Sequence, residues 1–169
     1  YRDTVINSYY GELATVIQYP ISNTSWAAPQ PADEGYEIAY SKDADGNSIY
    51  TEGMTEDEKY AAALEASIGF FKKAGYTWDD ATGTFTAAPE GASMTYEFVI
   101  PASGSGDHPD YDILTSTKAA LATIGITMEI NDPADANELW NKAEGGTNEM
   151  WAAAWQATAD PDMYQVYYS

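Results

Sequence analysis

Residues 94–131, MTYEFVIPASGSGDHPDYDILTSTKAALATIGITMEIN, decide the fold. Met94, Tyr96, Phe98 and Ile100 alternate along the first arm, the period-2 pattern of a strand with one covered face. Pro109 stands near the start of the next segment and Gly125 at its end. Between them Ile113, Leu114, Thr117, Leu121 and Ile124 fall on one face of a helix. ITMEIN at 126–131 is a second strand. Downstream, DPADANELWNKAEGG reads as another helix, with Asp132 as N-cap and Pro133 at the first helical position. EMWAAAW at 149–155 reads as a third strand. Strand, helix, strand, helix, strand within about 60 residues predicts crossover helices over a parallel or mixed sheet. The fold class is α/β, a mixed sheet with crossover helices.

Upstream, TEDEKYAAALEASIGFFKKAGY at 55–76 predicts a helix. Thr55 and Glu58 form a capping box, acids occupy the first turn, and Gly75 stops the helix. Tyr60, Leu64, Ile68 and Phe71 form its apolar stripe. WDDATGTF is a turn. YEIAYSKDADGNSIYTEG at 36–53 predicts a hairpin around Asp-Gly. Its acids do not fit a calcium loop: counted from Asp43, Gly46 is fourth and Glu52 tenth, where that loop needs glycine sixth and glutamate twelfth. ATVIQYPIS at 14–22 reads as a strand. The opening YRDTVINSYYG, residues 1–11, reads as the tail of a helix entering a single lobe that spans 1–169. The chain is expected to be a piece of a longer protein.

Bulk composition narrows the function. The 169 residues carry 27 acidic and 7 basic side chains, a net charge of -20. Such a surface offers no positive footprint for a phosphate backbone, which excludes nucleic acid as partner. It is equally unsuited to direct contact with anionic lipid. The absence of cysteine removes thiolate zinc sites, thiol nucleophiles and disulfides. The single histidine, His108, beside Pro109, is read as a local cap. No Gly-x-Ser-x-Gly elbow or phosphate-binding glycine loop is present. Catalytic residues, metal ligands and cofactors are therefore none.

The segment QATADPD at 156–162 follows the third strand, on the edge where open α/β sheets bind ligands. Asp160-Pro161 repeats the Asp132-Pro133 pattern, a capping acid before a helix. Trp155, Gln156, Ala157, Thr158 and Asp160 are the candidate ligand-binding residues: an aromatic face, hydrogen-bonding groups and a carboxylate.

Several segments, in order, resemble the extracellular solute-binding proteins of ABC importers, the family of oligopeptide- and dipeptide-binding proteins. YRDTVINSYYG resembles the helix after that family's A-hydrophobic-(N/D)-R signature. FFKKAGYTWDDATGTF resembles its LLKEAGY…D..G helix and turn. YEFVIP, LATIGITMEIND and MWAAAWQATADPDMY resemble its strand, its L..IGI.V unit and its W…DP segment. The likeness covers the first eleven residues and most of the chain from about Glu56.

The resemblance implies one lobe of a type II periplasmic-binding-protein-like fold. It further implies a peptide or other small solute held between this lobe and a missing second lobe. Delivery would be to an ABC permease, from an extracellular or periplasmic, lipid-anchored protein without enzymatic activity. In the family an aspartate three residues after the strand-end tryptophan commonly pairs with the peptide's α-ammonium; here Thr158 occupies that place and the spacer before Asp-Pro is one residue shorter. The competing reading is a domain of a secreted carbohydrate- or peptide-processing enzyme, which would need converging carboxylates in a deep pocket. A sensor or pheromone-presenting receptor on the same fold is a third.

Overall fold

The computed structural model describes residues 2–154, 156, 160–162 and 164. Helix α1 (Arg2–Tyr10) leads into a 3-10 turn at Gly11–Leu13. A long stretch without regular helix or strand follows, to the start of α2 (Glu56–Lys73). Then come β1 (Thr77–Asp79), β2 (Thr84–Ala87), β3 (Thr95–Val99), α3 (Pro109–Thr123), β4 (Thr127–Asn131), α4 (Ala136–Glu144) and β5 (Met150–Trp151).

The expected α/β architecture is present, with strand directions divided between two sheets. β1 and β2 form an antiparallel hairpin; β4-β3-β5 form a parallel sheet with β3 in the middle. In register, Tyr96 pairs with Met128 and Phe98 with both Ile130 and Met150. These residues share the face that α3 covers through Leu114 and Leu121. The other face carries Glu97, Val99, Asn131 and Trp151, and α4 meets it through Lys142 on Glu97 and Trp140 on Trp151. The two crossover helices thus lie on opposite faces of the sheet, which leaves Val99 and Ile100 fully buried.

A second apolar cluster joins the hairpin to α2. Tyr76, Phe85, Ile124 and Ile126 are its buried centre, and Leu64, Ile68 and Phe71 of α2 pack against them. The helix end is built for this. Gly75 adopts φ +95, its amide donates to Lys72 O, and the amide of Tyr76 donates to Phe71 O. That closure brings the rings of Tyr76 and Phe71 edge to face at 4.9 Å, the apolar contact that accompanies such a cap. Tyr60, assigned to the same stripe, is instead 49% exposed.

Four expectations are corrected. The third strand stops at Trp151, short of 155: after the amide of Ala152 donates to Val99 O, its partner strand meets Pro101, which cannot extend a ladder. Residues 14–22 form no strand. There Gln18 Oε1 accepts from the amide of Ala39 and Tyr19 Oη from that of Glu37, so side chains take over the role of a ladder. The hairpin at 36–53 reduces to one bridge, Lys42 with Ser48, closed by a turn in which Asp43 accepts from the amides of Asp45 and Asn47. Finally, α4 is capped by Asp135, which accepts from the amide of Asn137, and not by Asp132.

Candidate functional site

The displaced cap identifies the first feature of the site. Asp132 sits at the carboxyl end of β4, and its Oδ2 accepts from the amide of Gly106 at 2.9 Å. Gly106 belongs to the loop that leaves the carboxyl end of β3. One carboxylate therefore ties the two crossover loops together at one edge of the sheet. Its other oxygen, Oδ1, is buried without a hydrogen-bond partner among the described residues. Pro133 beside it is buried, and Ala134 lies against Gly104.

The 101–108 loop needs this brace. Ser103, Gly104 and Gly106 all adopt positive φ, of +54, +75 and +65. For the serine that conformation costs on the order of 1 kcal/mol. Ser105 Oγ donates to Ala102 O and accepts from the amide of Asp107. His108 then caps α3, its Nδ1 accepting from the amide of Asp110, so the local-cap reading of the single histidine holds. Asp110 also lies 3.4 Å from that nitrogen.

The third chain segment at this edge follows β5. Trp151 stacks edge to face on Trp140 with ring centroids 6.1 Å apart, and both rings remain almost half exposed. Gln156 is exposed, as is Asp160. Asp160 Oδ1 accepts from the amide of Asp162, the bond expected of a capping acid, and Asp162 Oδ1 accepts in turn from that of Tyr164. Trp155, Ala157 and Thr158 lie outside the described residues. Of the candidate wall, the structure therefore describes Gln156 and Asp160, on the segment that β5 delivers to the braced edge.

The α4 face below is held by charge. Glu97 accepts from Asn131 Nδ2 at 2.9 Å and pairs with Lys142 at 3.2 Å, while Lys142 reaches Glu138 at 3.6 Å. The hydrogen bond from Asn131, then those and the charge of Lys142, hold the Glu97 carboxyl below its ordinary value against the opposing effect of burial. Glu149 supplies a carboxylate oxygen to the amide of Glu97, completing the ladder just before β5 begins. Sequence reading missed this network and the Asp132 brace, because both join residues far apart in the chain. The one local signal was Asp135-Ala-Asn137, a capping pattern that competes with Asp132-Pro133.

Two concavities lie elsewhere. One, about 270 Å³, is lined by the 16–36 segment, including Val16, Tyr19, Pro29 and Tyr36. The other, about 640 Å³, lies between α2 and the 43–54 turn, with Ala62, Ala66 and Gly69 as its floor. Neither includes residues of the carboxyl edge. Among the described residues no three His, Asp or Glu side chains converge as a metal site, and no helix is long and apolar enough to cross a membrane.

No curated protein gives a match to the chain. The family model of bacterial extracellular solute-binding proteins, family 5 Middle, matches residues 2–169. With its sheet, crossover helices and hairpin forming a lobe of the solute-binding fold, the chain belongs to the family 5 bacterial extracellular solute-binding proteins, which bind solutes for ABC transporters.

Proposed function

We propose that this chain is one lobe of a two-lobed receptor whose solute is an oligopeptide, and that the full-length, lipid-anchored protein delivers the peptide to a membrane permease. The observation that carries this reading is the shared edge of the parallel sheet. Both crossover loops, and the segment after β5 with exposed Gln156 and Asp160, emerge there. Such an edge is where α/β sheets present loops and helix N-termini to a ligand. On this lobe it forms a wall, and a second lobe closing over it would complete the enclosure.

Trp155, Gln156, Ala157, Thr158 and Asp160 line that wall. The tryptophan offers a ring, and Gln156 and Thr158 offer hydrogen bonds to the peptide backbone. Thr158 is uncharged where relatives commonly place an aspartate for the α-ammonium. A charge-assisted hydrogen bond of that kind contributes about 1.5–3 kcal/mol. The receptor therefore does not depend on a free peptide N-terminus at this position.

Mass spectrometry of solute co-purifying with the full-length protein tests the substrate class, with intact short peptides expected. Recovery of a sugar or metal complex instead would overturn the peptide reading, and cleaved peptide would favour an enzyme. Titration with a peptide and its N-acetylated form should give similar affinities. Loss of binding on acetylation, with no effect of Thr158→Ala, would remove the role assigned to Thr158.

A further inference from the structure

We infer that Asp132 is a positioning residue of the carboxyl edge: its bond to Gly106 locks the two crossover loops into one unit, so that the edge meets its solute already in shape. This rests on the proposed binding role of that edge. Asp132 has the sequence position of a helix cap yet does not cap α4, because Asp135 supplies the acceptor there. The Asp132 carboxylate instead reaches 26 positions back, where Oδ2 accepts from the Gly106 amide at 2.9 Å.

The 101–108 loop has little else to hold its shape. It is anchored at Ala102 and at Pro109, the first residue of α3, both buried; between them Ser103, Gly104, Ser105 and Asp107 are exposed. Ser105 Oγ bonds within the loop, to Ala102 O and the amide of Asp107, and the amide of His108 donates to Gly106 O. Among the described residues, the Asp132 bond is the hydrogen bond that ties residues 103–107 to another segment. Glycine visits positive and negative φ about equally, and serine disfavours the positive region, so the three positive-φ residues of this loop do not fix its path by themselves.

The second loop is built to hold the carboxylate still. Pro133 is buried and fixes the backbone between Asp132 and Ala134. Ala134 lies so close to Gly104 that a Cβ added there would stand 3.5 Å from its Cα and Cβ. The two loops thus meet at two points, one polar and one apolar. Asp132 Oδ1 is buried and has no hydrogen-bond partner among the described residues, so the brace uses one acceptor oxygen of the two. An acceptor at that one place, rather than a whole carboxylate, is what the brace requires. Loops held in their bound shape beforehand avoid the entropy of ordering on binding, so loss of the brace should appear as loss of affinity.

The test uses the full-length protein, with tetra-alanine as the probe for calorimetry and amide hydrogen exchange on the unliganded protein. Asp132→Ala should weaken tetra-alanine binding at least about tenfold and speed exchange across 101–108. Asp132→Asn keeps an acceptor oxygen for the Gly106 amide and should rescue affinity to within about threefold of wild type, with slow exchange restored. Thr55→Ala lowers stability through the α2 cap, outside both loops, and should change neither readout. Equal losses of affinity in Thr55→Ala and Asp132→Ala would mean that binding follows stability alone, and would overturn the inference. Unchanged affinity or unchanged exchange in Asp132→Ala, or no rescue by Asp132→Asn, overturns it too. So does failure of Asp132→Ala to fold, which would give the carboxylate a role in the whole lobe. If wild type binds no tetra-alanine, the peptide reading fails and exchange decides: faster exchange at 101–108 in Asp132→Ala, reversed in Asp132→Asn, supports the inference, and any other pattern overturns it.

Discussion

At Gly125 the chain leaves α3 with φ +83, and a Cβ there would stand 2.7 Å from Phe85 O and 3.2 Å from both Phe85 N and Thr84 Cβ. The closeness has a purpose, because the amide of Phe85 donates to Ile124 O and so pins the hairpin to the end of α3. Gly125→Ala should destabilise the fold by about 2–4 kcal/mol, combining left-handed strain with a clash against backbone. Gly75→Ala makes the comparison, since its Cβ would meet only Pro89 at 3.5 Å, an ordinary contact. That change should cost about 1 kcal/mol. Urea denaturation of both variants decides the matter; equal losses would mean that the approach of Phe85 imposes no constraint. Glu97 gives a pH signature at the same scale. Its folded carboxyl lies below its ordinary value of 4.5, so the stabilisation is complete above that value and is lost as pH falls through the folded one. Relative to wild type, Glu97→Gln should therefore be less stable at neutral pH, and the difference should shrink below about pH 4.5. A difference that persists to about pH 2 would place the effect in packing rather than charge.

Among the elements, α2 was legible because its signals are local. Thr55 Oγ1 accepts from the amide of Glu58 and Glu58 Oε2 from the amide of Thr55, the reciprocal pair that Thr-x-x-Glu predicts. The α3 ends were equally plain in Pro109 and Gly125. Three failures share a cause, namely dependence on distant partners. At 14–22 the β-branched composition is answered 18 or more positions away, where the side chains of Gln18 and Tyr19 accept from the amides of Ala39 and Glu37. The alternation at 149–155 met a neighbouring strand that had already reached Pro101. Asp132-Pro133 has the grammar of a cap, but Gly106, 26 positions earlier, claims the carboxylate. The sequence places the candidate site on the segment after β5, while the brace between Asp132 and Gly106 at that edge has no local signature. Because the α2 cap is local, its loss should be local too. Thr55→Ala should cost about 1 kcal/mol and speed amide hydrogen exchange chiefly in the first turn of α2. Uniformly faster exchange across the hairpin and α3 would show instead that this cap is coupled to the whole core.

Across the whole molecule, a charge of -20 on 169 residues sets acid against acid over the surface. Salt should therefore raise the melting temperature between about 0.02 and 0.5 M sodium chloride, as screening shortens the Debye length from about 20 Å to about 4 Å. A fall over that range would mean that pairs such as Lys142–Glu97 outweigh the general repulsion. The ligand binding proposed above would involve more than this chain. On the two-lobed reading, Gln156 and Asp160 touch one side of the peptide, and the opposing contacts and exclusion of water come with closure of the second lobe. Binding must still overcome at least about 4 kcal/mol of lost translational and rotational freedom, which one exposed wall offsets poorly. On that reading the isolated 169-residue chain should bind a short peptide no more tightly than about 1 mM, near -4 kcal/mol, while the full-length protein binds it far more tightly. Calorimetry on the two proteins under identical salt measures the gap directly. Submicromolar affinity in the isolated chain would mean that the lobe encloses its solute unaided, and the half-site geometry would have to be abandoned.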